Sequence, residues 1–143
     1  MVQIRECSSA DFNEVVMLLR QLWPDKPLNI QSLQSVYDLA LSSENQKYLC
    51  AVEKNKVVGF GSLTIKNNLW QEGYLGHIDE LVVDNGSRGK GIGRQLLSQL
   101  IILAKEKKCR RVELDTAFHR KEAHRFYEQQ GFENRAYLFS MIL

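Results

Sequence analysis

The 143-residue chain is 44% hydrophobic and 25% charged, an ordinary composition for one folded domain around a single core. A net charge of +2 is too small to point to a nucleic-acid partner, and no twenty-residue apolar run is present that could span a membrane. Cys7, Cys50 and Cys109 are odd in number, far apart and without metal-ligand spacing; with no charged and apolar leader after Met1, free thiols and a cytoplasmic location are expected.

A short strand is expected at Val2–Arg5. Ser8-Ser9-Ala10-Asp11 resembles a capping box, and Phe12, Val15, Val16, Leu19, Leu22 and Trp23 follow at helical spacing. Pro24 and Pro27 interrupt that helix. A second begins from an Asn29 cap and places Ile30, Leu33, Val36, Tyr37, Ala40 and Leu41 on its apolar side. Strands are expected at Tyr48–Glu53, Val57–Ile65 and Gly76–Val83, joined by turns at Lys54-Asn55-Lys56 and near Asn67-Asn68, as an antiparallel meander. Arg94–Lys108 carries a helical stripe of Leu96, Leu97, Leu100, Ile101, Leu103 and Ala104, and Val112–Thr116 reads as a strand. Strand, helix and strand in that order form a right-handed crossover, so the strands at 77–83 and 112–116 should be parallel. Glu122–Gln130 reads as a last helix stopped by Gly131, and Tyr137–Leu143 alternates like a final strand.

The segment between the Gly76–Val83 strand and the long helix carries the chemistry. It reads Asp84-Asn85-Gly86-Ser87-Arg88-Gly89-Lys90-Gly91-Ile92-Gly93-Arg94, in the charge-rich half of the chain: residues 77–143 hold 12 Lys+Arg against 9 Asp+Glu. Glycines let a backbone turn tightly and approach a ligand, and the first turn of a helix offers unpaired N–H groups, a combination suited to a pyrophosphate. A Walker loop is excluded because Gly89-Lys90 is followed by Gly91, not Ser or Thr. A dinucleotide fingerprint is excluded because Arg94 stands where its last glycine or alanine should be.

Arg88-Gly89-Lys90-Gly91-Ile92-Gly93 resembles the Arg/Gln-x-x-Gly-x-Gly/Ala signature of GNAT acetyltransferases at every specified position. Glu80-Leu81-Val82-Val83 resembles the family's active-site strand, and Ala123-His124-Arg125-Phe126-Tyr127 with Gly131-Phe132 resembles its C-terminal helix motif. The resemblance covers essentially the whole chain. Its second half is most similar to aminoalkylphosphonate N-acetyltransferases, and Gly76–Asp84 is nearly as similar to glucosamine-phosphate acetyltransferases. The fold this implies is α/β in the α+β sense: one GNAT domain over residues 1–143, with a mixed, mostly antiparallel twisted sheet. A central parallel strand pair in that sheet is splayed for acetyl-CoA, and helices flank it. One departure is Arg120, where the family often has an Asn that touches the cofactor.

The resemblance implies acetyl-CoA as co-substrate, held by backbone groups of Leu81, Val82 and Val83 beside Thr116, with its pyrophosphate on Arg88, Gly89, Lys90, Gly91, Ile92, Gly93 and Arg94. The amine of the acceptor must lose a proton, for which Glu80 is the candidate base, directly or through water; Asp79 is expected on the opposite face of the strand. Tyr127 is the candidate acid for the departing thiolate, and the Val82 amide a candidate oxyanion donor. No metal is required, and His119 and His124, five residues apart, do not share a helix face as a zinc pair would. His77 is a candidate substrate contact. The implied partner is a small-molecule primary amine: aminoalkylphosphonate, amino sugar, aminoglycoside or polyamine. A protein-modifying acetyltransferase and a non-catalytic acetyl-CoA-binding module stay open as alternatives, as does a homodimer.

Overall fold

The computed structural model describes residues 1–143, which form two compact units, Met1–Glu113 and Leu114–Leu143. The first unit holds β1 (Gln3–Glu6), α1 (Phe12–Leu22), α2 (Ile30–Leu41), β2 (Gln46–Glu53), β3 (Lys56–Asn68), β4 (Gly73–Val83), α3 (Ile92–Glu106) and nearly all of β5 (Cys109–Leu114). The strands lie in the order β1-β2-β3-β4-β5. The first four are antiparallel neighbours, and β4 and β5 run parallel.

Local chemistry accounts for several element ends. Asp11 accepts hydrogen bonds from both the Ser8 amide and hydroxyl and from the Arg5 guanidinium, which fixes the approach to α1. The Asn29 side chain accepts the Ser32 N–H at 2.9 Å and caps α2. Lys54 and Asn55 both take positive φ, 51° and 62°, the conformation that a two-residue hairpin of matching twist needs. The next hairpin turns later than the residue types suggest. Asn67 pairs with Tyr74 and Asn68 with Gly73, and the Asn68 side chain accepts the Gln71 N–H inside the turn, so β3 and β4 are each extended by several residues.

The core sits on both faces of the sheet. Phe12, Val15, Val16, Leu18, Leu19 and Leu22 of α1 pack with Tyr37 of α2 against Cys50, Phe60 and Val82. Tyr37, Tyr48 and Phe60 form a chain of edge and tilted ring contacts at 5.3–5.5 Å. The alternate residues of β3 face α3. A side chain at Gly59 would meet Leu96 at 2.9 Å and one at Gly61 would meet Leu100 at 2.9 Å, so these glycines let the helix lie close to the sheet. Each such fully buried leucine contributes about 1.5–3 kcal/mol relative to an exposed one. No helix is long and apolar enough to cross a membrane.

The second unit contains α4 (Lys121–Gln129). The helix ends in a Schellman motif: the Phe132 N–H donates to Tyr127 O and the Gly131 N–H to Glu128 O, with Gly131 at φ 96°. The expected strand at Tyr137–Leu143 is absent. Those residues have no strand pairing, and Tyr137, Leu138, Phe139, Met141, Ile142 and Leu143 are exposed. Alternation decides which side chains share a face but supplies no neighbour to hydrogen-bond, and without one a strand does not form. With that strand missing from the sheet, β5 is its edge.

Candidate active site

The strand pair β3–β4 is interrupted at one point. Gly61 stands opposite Leu81 while Leu63 stands opposite Ile78, so two steps along β3 match three along β4. Asp79 and Glu80 together oppose Ser62. A bulge of this kind changes which face the following side chains occupy. His77, paired with Thr64, lies on the α1–α2 face; beyond the bulge Glu80 and Val82 lie on that same face, because Val82 pairs with Phe60 in the core.

The consequence is an acidic cluster that simple alternation does not produce. The Ser62 hydroxyl donates to Glu80 Oε1 at 2.6 Å and accepts the Glu80 N–H at 2.9 Å. The Thr64 hydroxyl donates to Asp79 Oδ2, and His77 Nδ1 lies 2.8 Å from Asp79 Oδ1. Asp79 is therefore beside Glu80, not on the opposite face as strand alternation predicts. Burial is the main cause that raises the Glu80 pKa above the ordinary carboxylate range; the Ser62 hydrogen bond opposes it, the Asp79 charge reinforces it and His77 opposes it. A half-buried carboxylate of this kind takes a proton nearer neutral pH than an exposed one does.

Beyond β4 the loop is pinned from α1. Gln21 donates to Asp84 Oδ1 at 2.8 Å and accepts the Asn85 N–H at 2.9 Å, while Asp84 Oδ2 takes the Gly86 N–H. Arg88 Nε donates to the Val83 carbonyl at 3.2 Å, tying the start of the glycine run to the end of β4 and engaging one of the backbone groups expected to serve the cofactor. Lys90 lies 3.9 Å from Glu53. Gly89 and Gly91 take φ of 78° and 81°, and a Cβ built on either meets nothing within 4 Å. Gly91 is the N-cap of α3, and no side chain caps that end. The amides of Ile92, Gly93 and Arg94 thus begin α3 without a side-chain cap, a helix start that suits an anion. The Ile92 and Val82 side chains are buried at 2% and 4% exposure, so those two residues can offer only backbone groups. A groove of about 390 Å³ lined by Ile4, Gly91, Arg94, Gln95, Ser98 and Gln99 runs along α3. None of the acidic cluster lines it.

In the second unit, Tyr127 packs against Phe126 and Phe132 with ring centroids 5.2 and 5.7 Å apart. Burial raises its pKa above the ordinary phenol range, and Arg120 opposes that shift. The Thr116 hydroxyl is buried without a hydrogen-bond partner, an orphaned polar atom of the sort a ligand satisfies. His124 Nε2 lies 2.9 Å from the Ala117 carbonyl, so it belongs to the local structure around α4.

Sequence reasoning misses Ser62, Thr64 and Gln21. A serine inside Val57-Val58-Gly59-Phe60-Gly61-Ser62-Leu63 is a signal in retrospect, since a buried hydroxyl needs a partner; Gln21 carries no such signal.

The Acetyltransferase (GNAT) family matches residues 11–132. The chain is 30% identical over 141 residues to an aminoalkylphosphonate N-acetyltransferase of Salmonella typhimurium, covering 99% of this chain and 91% of that one. Among solved structures, a transcriptional regulator from Bacillus halodurans C-125 superposes with a TM-score of 0.89 at 27% identity over the whole of both chains. Glucosamine-6-phosphate N-acetyltransferase from Arabidopsis thaliana superposes with a TM-score of 0.85 at 25% identity, covering 99% of this chain and 98% of that one. With the family matched across most of the chain, this protein belongs to the GNAT acetyltransferases and is an N-acetyltransferase whose acetyl donor is acetyl-CoA.

Proposed function

We propose that the protein acetylates the primary amine of a small molecule of the aminoalkylphosphonate or amino-sugar type, with Glu80 as the base. The observation that carries this reading is the bulge at Asp79-Glu80, which holds a half-buried carboxylate on a hydroxyl clamp within β4. The relatives named for aminoalkylphosphonate and glucosamine-6-phosphate acetylation support the substrate class. The family's match over residues 11–132 runs through both compact units, which supports their acting as one domain.

In this reading the amides at the start of α3, Arg88 and Lys90 hold the pyrophosphate of acetyl-CoA, and Thr116 with backbone groups of Leu81, Val82 and Val83 holds its arm. The co-substrate supplies an acyl group activated as a thioester. Glu80 accepts the proton that an amine, with a reference pKa of about 10.4, must lose to become nucleophilic. The Val82 N–H offsets negative charge on the carbonyl oxygen, and Tyr127 donates the proton that the thiolate needs on leaving. In this reading His77 contacts the substrate, and the Asp79 carboxylate beside it attracts the protonated amine as it arrives. The exposed apolar side chains of Tyr137–Leu143 favour self-association into a dimer, which light scattering of the full chain against one ending at Arg135 would test.

The test is acetyl-CoA-dependent thiol release across aminoalkylphosphonates, amino-sugar phosphates, aminoglycosides and polyamines, with Glu80→Gln as the comparison. Turnover of the best amine should fall about 10²–10⁴-fold in Glu80→Gln at neutral pH, recovering in part as rising pH deprotonates the amine in solution. A ratio of variant to parent rates that stays flat across pH under chemistry-limited conditions would count against Glu80 as base.

A further inference from the structure

We infer that Ser62 is a positioning residue for catalysis, which sets both the orientation and the proton affinity of the base; the inference rests on the reading of Glu80 as that base. Ser62 is fully buried in β3, in a run that is otherwise apolar from Val57 to Leu63. Its hydroxyl makes two hydrogen bonds, and both go to Glu80. It accepts the backbone N–H at the bulge, where the regular strand pairing is lost, and it donates its own hydrogen to Oε1. A hydroxyl has one hydrogen, so once the amide is accepted the donor direction is committed to the carboxylate.

Two consequences follow. The carboxylate is held at Oε1, so Oε2 is left to take the substrate's proton. A donor aimed at the ionised form also favours that form, so Ser62 counteracts the rise in proton affinity that burial and Asp79 impose on Glu80. The other titratable groups around Glu80 are Asp79 and His77 on β4 and Tyr48 on β2, whose phenol is itself pushed up to about 12 by burial and by the Glu80 and Asp79 charges. Of the influences that favour the ionised Glu80, the Ser62 hydrogen bond is larger than the His77 charge. Ser62 is thus the group whose hydrogen bond favours the ionised, proton-accepting form of this half-buried carboxylate.

The experiment is the pH profile of kcat/KM for Ser62→Ala, alone and combined with Glu80→Gln. Loss of the hydroxyl should move the acid limb of the profile up by about one pH unit, since a hydrogen bond to a charged group is worth on the order of one to two such units. It should lower kcat about tenfold at neutral pH and leave KM for acetyl-CoA within twofold of the parent. In the Glu80→Gln background the same change should cost less than about twofold, because the group being positioned is gone. An unmoved acid limb, or an equal loss in both backgrounds, would make Ser62 a filler of the bulge and overturn the inference while Glu80 kept its role. Full activity of Glu80→Gln itself would overturn the reading of the base, and this inference with it. Should Ser62→Ala fail to fold, Ser62→Cys keeps the shape with a weaker donor and acceptor, and the limb should move in the same direction; an unmoved limb there is equally decisive.

Discussion

Replacing Gly91 with alanine separates the cost of a strained backbone from the loss of an anion site. Gly91 is held at φ 81° and ψ 11°, in the left-handed region, at the N-cap of α3. An L-residue there costs roughly 1–2 kcal/mol, which a domain of ordinary stability, about 5–15 kcal/mol, survives. The added methyl meets no protein atom within 4 Å, so no steric cost to the free fold adds to the backbone term. It stands at the N-cap, immediately before the Ile92, Gly93 and Arg94 amides that are proposed to hold the pyrophosphate. Displacing the pyrophosphate from one charge-assisted hydrogen bond would forfeit about 1.5–3 kcal/mol, or roughly a ten- to hundredfold weaker Kd. Urea denaturation of the free protein measures the first quantity, and calorimetric titration with coenzyme A the second. Gly131→Ala is the control, since Gly131 also takes positive φ (96°) and its added Cβ also meets nothing within 4 Å, but it ends α4 and has no place in the loop. If Gly91→Ala lost stability yet bound coenzyme A within about twofold of the parent, as Gly131→Ala should, the loop would not be the pyrophosphate site.

Tyr127→Phe keeps the ring contacts with Phe126 and Phe132 and removes only the hydroxyl, so α4 should remain folded. Turnover should fall about 10²–10⁴-fold with little change in acetyl-CoA affinity, and a loss of no more than about twofold would reduce Tyr127 to packing. Asp11→Asn addresses stability. Arg5 hydrogen bonds hold the Asp11 carboxyl down to about 2, so the ion pair stabilises the fold above the unfolded carboxyl's pKa, and that contribution is lost as pH falls from about 4 towards 2. Because Arg5 is 38% exposed, the shift is discounted to about 1–2 kcal/mol. Urea midpoints of parent and Asp11→Asn should therefore differ at pH 7 and converge near pH 2; an equal gap at both would mean that the asparagine disturbs packing and not charge.

Much of this protein is legible from short stretches of sequence because the physics there is local. The Asn29 cap, the apolar stripe of α3 and the Lys54-Asn55 hairpin each depend on residues within one or two turns of chain. The glycine loop is legible for the same reason: positive φ at Gly89 and Gly91 is a demand that their own lack of a side chain meets. What only the tertiary structure decides is set by partners far along the chain. Asp79 joins Glu80 on one face because one residue of β3, Ser62, stands against two of β4, and nothing within His77-Ile78-Asp79-Glu80 announces the extra residue. Ser62 and Gln21 acquire their tasks from residues 18 and 63 positions away. Tyr137–Leu143 shows the converse: the alternation that marks a strand is present, but a strand is a property of two paired segments, and these residues pair with none.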